Sequence, residues 1–405
     1  MSTAPAHKAA EWLEELGAIS DDAPGLTRTF LSPALARAKV LVAQWMQEAG
    51  LTVFEDKAGN VIGRLECERA IAGTVACGSH LDTVRNAGKF DGALGVVTGV
   101  LAAANIIQSG RRLPYHLEIV AFSDEEGVRF QTTYLGSRYY AGRLGPTELT
   151  ASDAQGTTIG EAIRNHSPMF PVPPPHAHLL GYVEAHIEQG PVLEKENLAL
   201  GVVTAIAGQT RARVFLTGKA GHAGTTPMTL RQDALAGAAE CILLVEQRAG
   251  NTSSLVATVG EIRVESGASN VIPGSVEFTL DVRDADNRAR LDFCKNLFEE
   301  FETRMKRRGL EVRIEIPFVS PATQCSTRLI QSLASLVKKH QGRCPELVSG
   351  AGHDAVALSN ITDVAMLFVR CRDGLSHHPD EFAAPPDIAA AVDVLTEFLS
   401  EFPMP

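Results

Sequence analysis

Apolar and polar positions fall into two regimes along the chain. In its outer parts, short apolar runs stand without alternation, each closed by polar residues: Thr74–Gly78, Leu117–Phe122, Tyr182–Ala185 and Val364–Val369. Runs of that length predict strands buried on both faces. Ser32-Pro33, followed by Leu35, Val42 and Trp45 and closed by Gly50, predicts a capped amphipathic helix. Gly92–Gln108, rich in Ala, Val and Leu, predicts another. Buried strands alternating with helices predict an α/β sheet with helices on both faces.

The middle of the chain follows a different rule. Ala212, Val214 and Leu216 alternate with polar neighbours, as do Val276, Phe278, Leu280 and Val282. That is the two-residue period of half-buried strands. Leu255–Ile262 and the run through Val312, Ile314 and Ile316 predict two more strands, and Arg231–Gln247 and Ala285–Arg308 two helices. The order β-α-β-β-α-β is that of a ferredoxin-like unit. It is expected as an insertion over 208–322, splitting a larger domain made of 1–207 and 323–405. A chain of 405 residues exceeds the usual span of one core, which agrees with two domains.

Composition removes several function classes. Hydrophobic content of 45%, charged content of 21% and a net charge of -11 are those of an ordinary globular protein, without the basic surface that nucleic acid or an anionic membrane requires. No apolar run approaches the roughly 20 residues of a membrane span. Met1–Glu15 is polar and acidic, without a signal-peptide pattern, so a cytoplasmic location is expected. Seven scattered cysteines without a CxxC pair read as reduced thiols.

The polar residues that close the buried strands carry the chemistry. His80, Asp82 and Asp91 follow the first strand: an imidazole for a metal, an acid to hold it from behind, and an acid able to bridge to a second ion. The second strand runs into Ser123-Asp124-Glu125-Glu126. Adjacent carboxylates at a sheet edge repel and call for a cation. One can bind the ion while the other accepts a proton from water. The third strand delivers His186, and the fourth precedes His377. Open α/β sheets place their sites at such strand ends. Mixed nitrogen and carboxylate donors suit zinc or manganese better than calcium or magnesium. Singly, each motif has a plainer reading as a structural histidine, a solvated acid pair or a helix cap. Their joint placement points to a hydrolase that activates water between two divalent ions.

These segments resemble the amidohydrolase branch of the aminoacylase/carboxypeptidase-type dinuclear metallopeptidases, which comprises allantoate amidohydrolases, N-carbamoyl-L-amino-acid hydrolases and β-ureidopropionases. The resemblance rests on GSHLDT (78–83), FDG (90–92), SDEEG (123–127), EAHIEQGP (184–191), GHAGTTPM (221–228), NVIPG (270–274), DVRD (281–284), SGAGHDA (349–355) and GLSHHPDE (374–381). It implies a mixed-sheet catalytic domain with an inserted dimerisation lid. It implies one metal on His80, Asp91 and His186 and another on Asp91, Glu126 and His377. Asp82 would fix the His80 tautomer, and Glu125 would be the general base. His222 would reach the partner subunit's site in a homodimer and stabilise the oxyanion. Asn270 and Arg283 would bind a substrate carboxylate, and Gln189 and His353 would contact the ureido group or the intermediate. Without the resemblance, Arg283 reads as a surface ion pair and His222 as a turn residue.

Within that branch, Phe368–Gly374 looks closer to allantoate amidohydrolases, because many carbamoyl-amino-acid hydrolases carry Pro-Ser where this chain has Arg370-Cys371. Ile19–Asp22 and Leu26-Thr27-Arg28 also look allantoate-like. The expected substrate is therefore allantoate, a small ureido acid met in purine catabolism. The alternatives are an N-carbamoyl-L-amino acid or β-ureidopropionate. A dinuclear peptidase or N-acyl-amino-acid deacylase, and a metal-free binding relative, are the readings from other classes.

Overall fold

The computed structural model describes residues 3–68, 72–174 and 178–405. The chain divides into two compact units, Met1–Thr204 with Cys325–Pro405, and Ala205–Gln324.

The first unit is built on a mixed sheet. Its strands are β1 (Thr52–Glu55), β2 (Val61–Leu65), β3 (Thr74–His80), β4 (His116–Phe122), β5 (Leu179–Ile187) and β6 (Leu200–Ile206), joined by Val364–Val369 and Glu346–Ser349. The order runs β1-β2-β4-β3-β5, then Val364–Val369, then β6, with Glu346–Ser349 also on β6. The central pairings β4–β3–β5–(Val364–Val369) are parallel, and the flanking ones are antiparallel.

Parity along the strands decides what faces the main core. Val75 and Cys77, Leu117 and Ile119, Val183 and Ala185, and Ala365 and Leu367 all belong to one buried apolar cluster. Helices Thr3–Gly17, Pro33–Glu48, Ala93–Gln108, Thr327–Gln341 and Pro385–Ser400 contribute to the same cluster. Short helices Leu135–Tyr140 and Ala355–Leu358 lie on the opposite side, the latter against β5 and Val364–Val369. Successive side chains on a strand point to opposite faces, so His80 and His186, of the other parity, project away from the main core.

Local chemistry sets the helix ends. Ser32 caps the helix opened by Pro33 and accepts the Leu35 N–H at 3.1 Å. The amino-terminal stretch, read above only as polar and acidic, is helical over Thr3–Gly17. Its buried Ala9, Trp12, Leu13 and Leu16 recur at helical spacing, and Trp12 stacks on Trp45 with ring centroids 4.4 Å apart.

In the second unit the strands lie in the order Glu311–Ser320, Gly208–Thr217, Ser275–Asp284, and then Val256–Thr258 with Ile262–Val264. All pairings are antiparallel, and the order fourth-first-third-second is that of the ferredoxin-like unit. Helices Ala234–Gly250 and Asn287–Arg307 share one apolar core with the sheet. Both start later than the apolar pattern predicts, because Asp233 and Asp286 cap them through two main-chain N–H groups each. The strand expected over Leu255–Ile262 is broken in two. Thr258 faces Asp281 and Ile262 faces Phe278, which leaves one extra residue on this strand near Gly260. That bulge is held by Glu261, whose N–H donates to Thr279 Oγ1 at 3.1 Å.

Among the described residues, no helix is long and apolar enough to cross a membrane.

Candidate metal centre

The ends of β3 and β5 bring two imidazoles together. The strands are parallel, with Cys77 opposite Val183, so His80 arrives beside His186 three residues on. Their ring centroids are 5.8 Å apart. Both are buried. Asp91 reaches them from the turn before helix Ala93–Gln108. The turn needs Gly92, which has φ 65° and lies against the His80 ring; a Cβ there would fall 2.5 Å from that ring.

Asp91 faces two groups with two different oxygens. Its Oδ1 lies 3.5 Å from His80 Nε2 and 3.1 Å from His186 Nε2. Its Oδ2 lies 3.3 Å from His377 Nε2, which is in turn 3.5 Å from Glu126 Oε1. Two donor groups result, His80-Asp91-His186 and Asp91-Glu126-His377, each with its ligand atoms within 4.8 Å of one another. Donors at about 2.0–2.2 Å from a zinc-type ion stand at such separations from each other.

The outward nitrogens are left free to ligate because the inward ones are engaged. His80 Nδ1 lies 3.0 Å from the Asp82 carbonyl and 3.4 Å from its carboxylate Oδ1. His186 Nδ1 lies 2.9 Å from the Ile187 carbonyl. A carbonyl accepts only, so each Nδ1 carries a proton, and Nε2, on the Asp91 side, is the atom each ring would offer to an ion.

A dense field of buried acids surrounds these donors. Burial raises the Asp91 carboxyl, but His186, His377 and His80 outweigh it and hold the group well below its ordinary range. Burial, followed by repulsion from Asp91, pushes Glu126 up to about 7. Burial pushes Glu125 well above the carboxylate range; His80 opposes this, and Glu126, Asp354 and Asp82 add to it. Asp124 is buried with no hydrogen-bond partner on either oxygen, and burial drives it up likewise. Such a concentration of carboxylates is the environment that divalent cations neutralise. The residues present therefore fit a pair of ions.

Three residues hold Asp91, the acid shared by the two donor groups. Gln189 Nε2 donates to Asp91 Oδ2 at 2.9 Å, and Ser376 Oγ donates to the same oxygen at 2.7 Å. Glu381 accepts the N–H groups of Phe90 and Asp91 at 2.8 and 2.9 Å. Ser376 and Glu381 flank His377 in its motif but drew no role from the sequence, since nothing local reveals a bond spanning 290 residues. His353 is buried against His186, its Nε2 lies 2.7 Å from Ser349 Oγ, and its Nδ1 has no partner. Burial, then His186, holds it well below the usual histidine range, so it is neutral. Gln189 Oε1 is also buried without a partner. Both atoms are available for polar recognition.

The chain matches the model of peptidase family M20/M25/M40 over residues 76–401. It belongs to that family. M20 proteins are metal-dependent, in keeping with the two donor groups. The chain is 42% identical to an allantoate deiminase of Arabidopsis thaliana over 96% of its own length and 80% of the relative's. It is 43% identical to an N-carbamoyl-L-amino-acid amidohydrolase of Pseudomonas sp. (strain NS671), over 96% of this chain and 95% of that one. A crystal structure of a hydantoinase/carbamoylase family amidase from Burkholderia ambifaria superposes with a TM-score of 0.91 at 33% identity, covering 99% and 98% of the two chains.

Other residues singled out in this M20 sequence lie in the second unit. His222 sits in the short strand Gly221–His222, paired with Val271 of Val271–Ile272. Ala223 N–H donates to the Asn270 carbonyl at 2.9 Å, so His222 and Asn270 are neighbours. Arg283 stands apart from them. It lies at the far end of Ser275–Asp284, a ten-residue strand spanning roughly 30 Å. Its Nε donates to Asp281 Oδ1 at 2.8 Å.

Arg370, whose identity favoured allantoate in the sequence, is engaged elsewhere. It makes a two-pronged pair with Asp387 at 2.8 and 3.0 Å and a third bond to Asn197. Arg372 lies over the Phe382 ring.

Proposed function

We propose that the protein is a dinuclear amidohydrolase that cleaves one ureido C–N bond of allantoate. With one water, the products are ureidoglycine, ammonia and carbon dioxide, a step in purine breakdown. The observation that carries the metal chemistry is Asp91, whose two oxygens serve two separate donor groups. Two divalent ions, zinc or manganese, would supply Lewis acidity, making water a nucleophile near neutral pH and polarising the ureido carbonyl. His80, Asp91 and His186 would hold one, and Asp91, Glu126 and His377 the other.

The protein groups divide the remaining work. Glu125 takes a proton from the attacking water and returns it to the leaving nitrogen. Its main chain is pinned on both sides, the N–H by Asp82 and the carbonyl by the Tyr134 N–H at 2.9 Å. Burial raises its carboxyl, and a raised carboxyl holds a proton more readily than a free one, as a group that takes a proton and passes it on must. Gln189 and His353 offer the unsatisfied Oε1 and Nδ1 to the ureido group.

Substrate fixation calls for two copies of the chain. His222 and Asn270 lie beyond one end of Ser275–Asp284 and Arg283 near the other, a span no small ureido acid bridges. In a homodimer, one subunit would supply His222 and Asn270, and the other Arg283. The edge strand Glu311–Ser320 exposes Ile316, Phe318 and Val319, an apolar edge suited to association.

The Arabidopsis relative supports allantoate, and the Pseudomonas relative supports the second reading, an N-carbamoyl-L-amino acid. A coupled ammonia assay offering allantoate and several N-carbamoyl-L-amino acids separates them. Higher kcat/KM on allantoate is expected, and preference for a carbamoyl amino acid would transfer the assignment to the second reading.

A further inference from the structure

The segment Leu26-Thr27-Arg28, which the sequence linked to substrate choice, is bonded instead to the loop between His80 and Asp91. Leu26 O accepts from Ala87 N at 2.8 Å, and Thr27 Oγ1 accepts from Asn86 N at 3.1 Å. Arg28 and Thr83 are joined twice: Arg28 N donates to Thr83 Oγ1 at 2.9 Å, and Thr83 N donates to Arg28 O at 2.8 Å. The loop connecting the two metal-binding positions is thus tied at successive points along its length.

The Arg28 side chain completes the arrangement. It is 1% exposed, an unusual burial for a guanidinium. Its Nε donates to the Leu81 carbonyl at 2.9 Å, between His80 and Asp82. Its Nη1 donates to the Leu16 carbonyl at 2.7 Å and the Ile19 carbonyl at 3.3 Å, at and just beyond the end of helix Thr3–Gly17. A cation at a helix C-terminus satisfies orphan carbonyls and complements the helix dipole. A planar fork with donors in fixed directions joins the helix end to the ligand loop in a way no lysine reproduces.

We infer that Leu26–Arg28 is a strap that sets the spacing of His80 and Asp91, with Arg28 as a positioning residue for metal binding. The inference rests on the dinuclear reading above. Asp91 belongs to both donor groups, so a shift of the loop disturbs both ions. Partners behind metal ligands typically change affinity by about 10–100-fold when lost. The strap touches no reacting atom, so substrate binding is spared once the metals are in place.

The test compares wild type, Arg28→Met, Arg28→Lys, Thr83→Val and the control Arg37→Ala, whose exposed side chain bonds Ser20 O, ahead of the strap. Zinc affinity is measured by chelator competition at a temperature where circular dichroism shows each metal-free protein folded. In Arg28→Met, affinity is expected to fall about tenfold or more. Its kcat at saturating zinc is expected to fall, with KM near the wild-type value. Arg28→Lys should recover part of the loss, Thr83→Val should show a smaller loss, and Arg37→Ala none. A folded Arg28→Met with wild-type zinc affinity overturns the strap while leaving the metal centre standing. If Arg28→Met does not fold, wild-type affinity in Thr83→Val overturns it equally. A wild type that binds no divalent ion defeats the reading of the centre itself.

Discussion

The Asp82 carboxylate clamps the main chain of Glu125. Its Oδ1 accepts the Glu125 N–H at 2.9 Å, and its Oδ2 accepts the Glu126 N–H at 3.2 Å. His80 Nδ1 is nearer to the Asp82 carbonyl, at 3.0 Å, than to its carboxylate Oδ1, at 3.4 Å. Asp82 therefore serves both the metal imidazole and the acid pair, with its charge directed at the latter. Asp82→Asn keeps the shape but turns one oxygen into an NH₂ that faces an N–H donor. A buried donor left unsatisfied costs about 1–3 kcal/mol. Chemical denaturation should show a loss of that order, accompanied by at least about a tenfold lower kcat as the Glu125 backbone loosens. Unchanged kcat in the folded variant would confine Asp82 to a structural role.

Glu125 lies outside both donor groups, whereas Glu126 lies in one. Glu125→Gln should therefore retain the wild-type metal content, measured by elemental analysis, and lose about 10²–10⁴ in kcat, the usual contribution of a general base. Full activity in that variant would move the base elsewhere.

The gathering of these side chains at one place was legible because it obeys a strand rule. His80, Glu125, Glu126 and His186 all follow or end continuous apolar runs, and parity puts His80 and His186 on the side away from the main core. The network that holds them was not legible. Glu381 bonds Asp91, and Arg28 bonds Leu81, through contacts separated by many residues and without periodicity. The same limit hid what Arg370 bonds. Its Asp387 partner lies on the following helix, and nothing in the local segment announces the pairing. In the second unit, alternation located the strands, but it did not place the bulge at Gly260, which depends on a side-chain bond to Thr279.

Removing metal should destabilise the first unit. Asp82, Asp91, Asp124 and Glu125 are all buried around the donors, and Glu126 stands among them. Without cations, these acids repel or must take up protons. A ligand that binds only the folded state at about 100 times its Kd adds about 2.7 kcal/mol. Treatment with a chelator should lower Tm, and zinc or manganese should restore it. Glu126→Gln removes one charge and one donor, so it should raise the Tm of the chelated protein while abolishing most of the metal-dependent gain. Equal Tm values with and without chelator would argue against bound ions.

Acid stability should depend on a charged cluster distinct from those donors. Lys39 Nζ lies 2.5 Å from Glu55 Oε1, and His166 Nε2 lies 2.9 Å from the same oxygen. Burial alone would raise the Glu55 carboxyl. The hydrogen bond from His166 and the charge of Lys39 override it and hold the group down at about 2, against the usual 4.5. A carboxyl depressed in the folded state adds stability above its unfolded pKa, and loses it as pH falls through the folded one. The contribution of Glu55 should be complete above about pH 4.5 and fade toward about pH 2. Thermal melts of Glu55→Gln and wild type should differ most near neutrality and converge in that window. A difference independent of pH would show that packing, not charge, is what Glu55 provides.

Complementation between subunits tests the shared site directly. In the proposed dimer, each active centre uses its own Glu125 and the partner's His222. Glu125→Ala and His222→Ala homodimers should both be nearly inactive. A heterodimer of the two has one centre with both defects and one with neither. After unfolding, mixing and refolding in equal amounts, heterodimers form about half of a two-fold symmetric population, so about a quarter of the wild-type activity should return. Asn270→Ala should complement Glu125→Ala in the same way, because Asn270 neighbours His222. Arg283→Ala should not, because in the proposed dimer Arg283 serves the same centre as Glu125. No recovery in dimers verified by mass would place His222 within its own subunit's site or outside catalysis altogether.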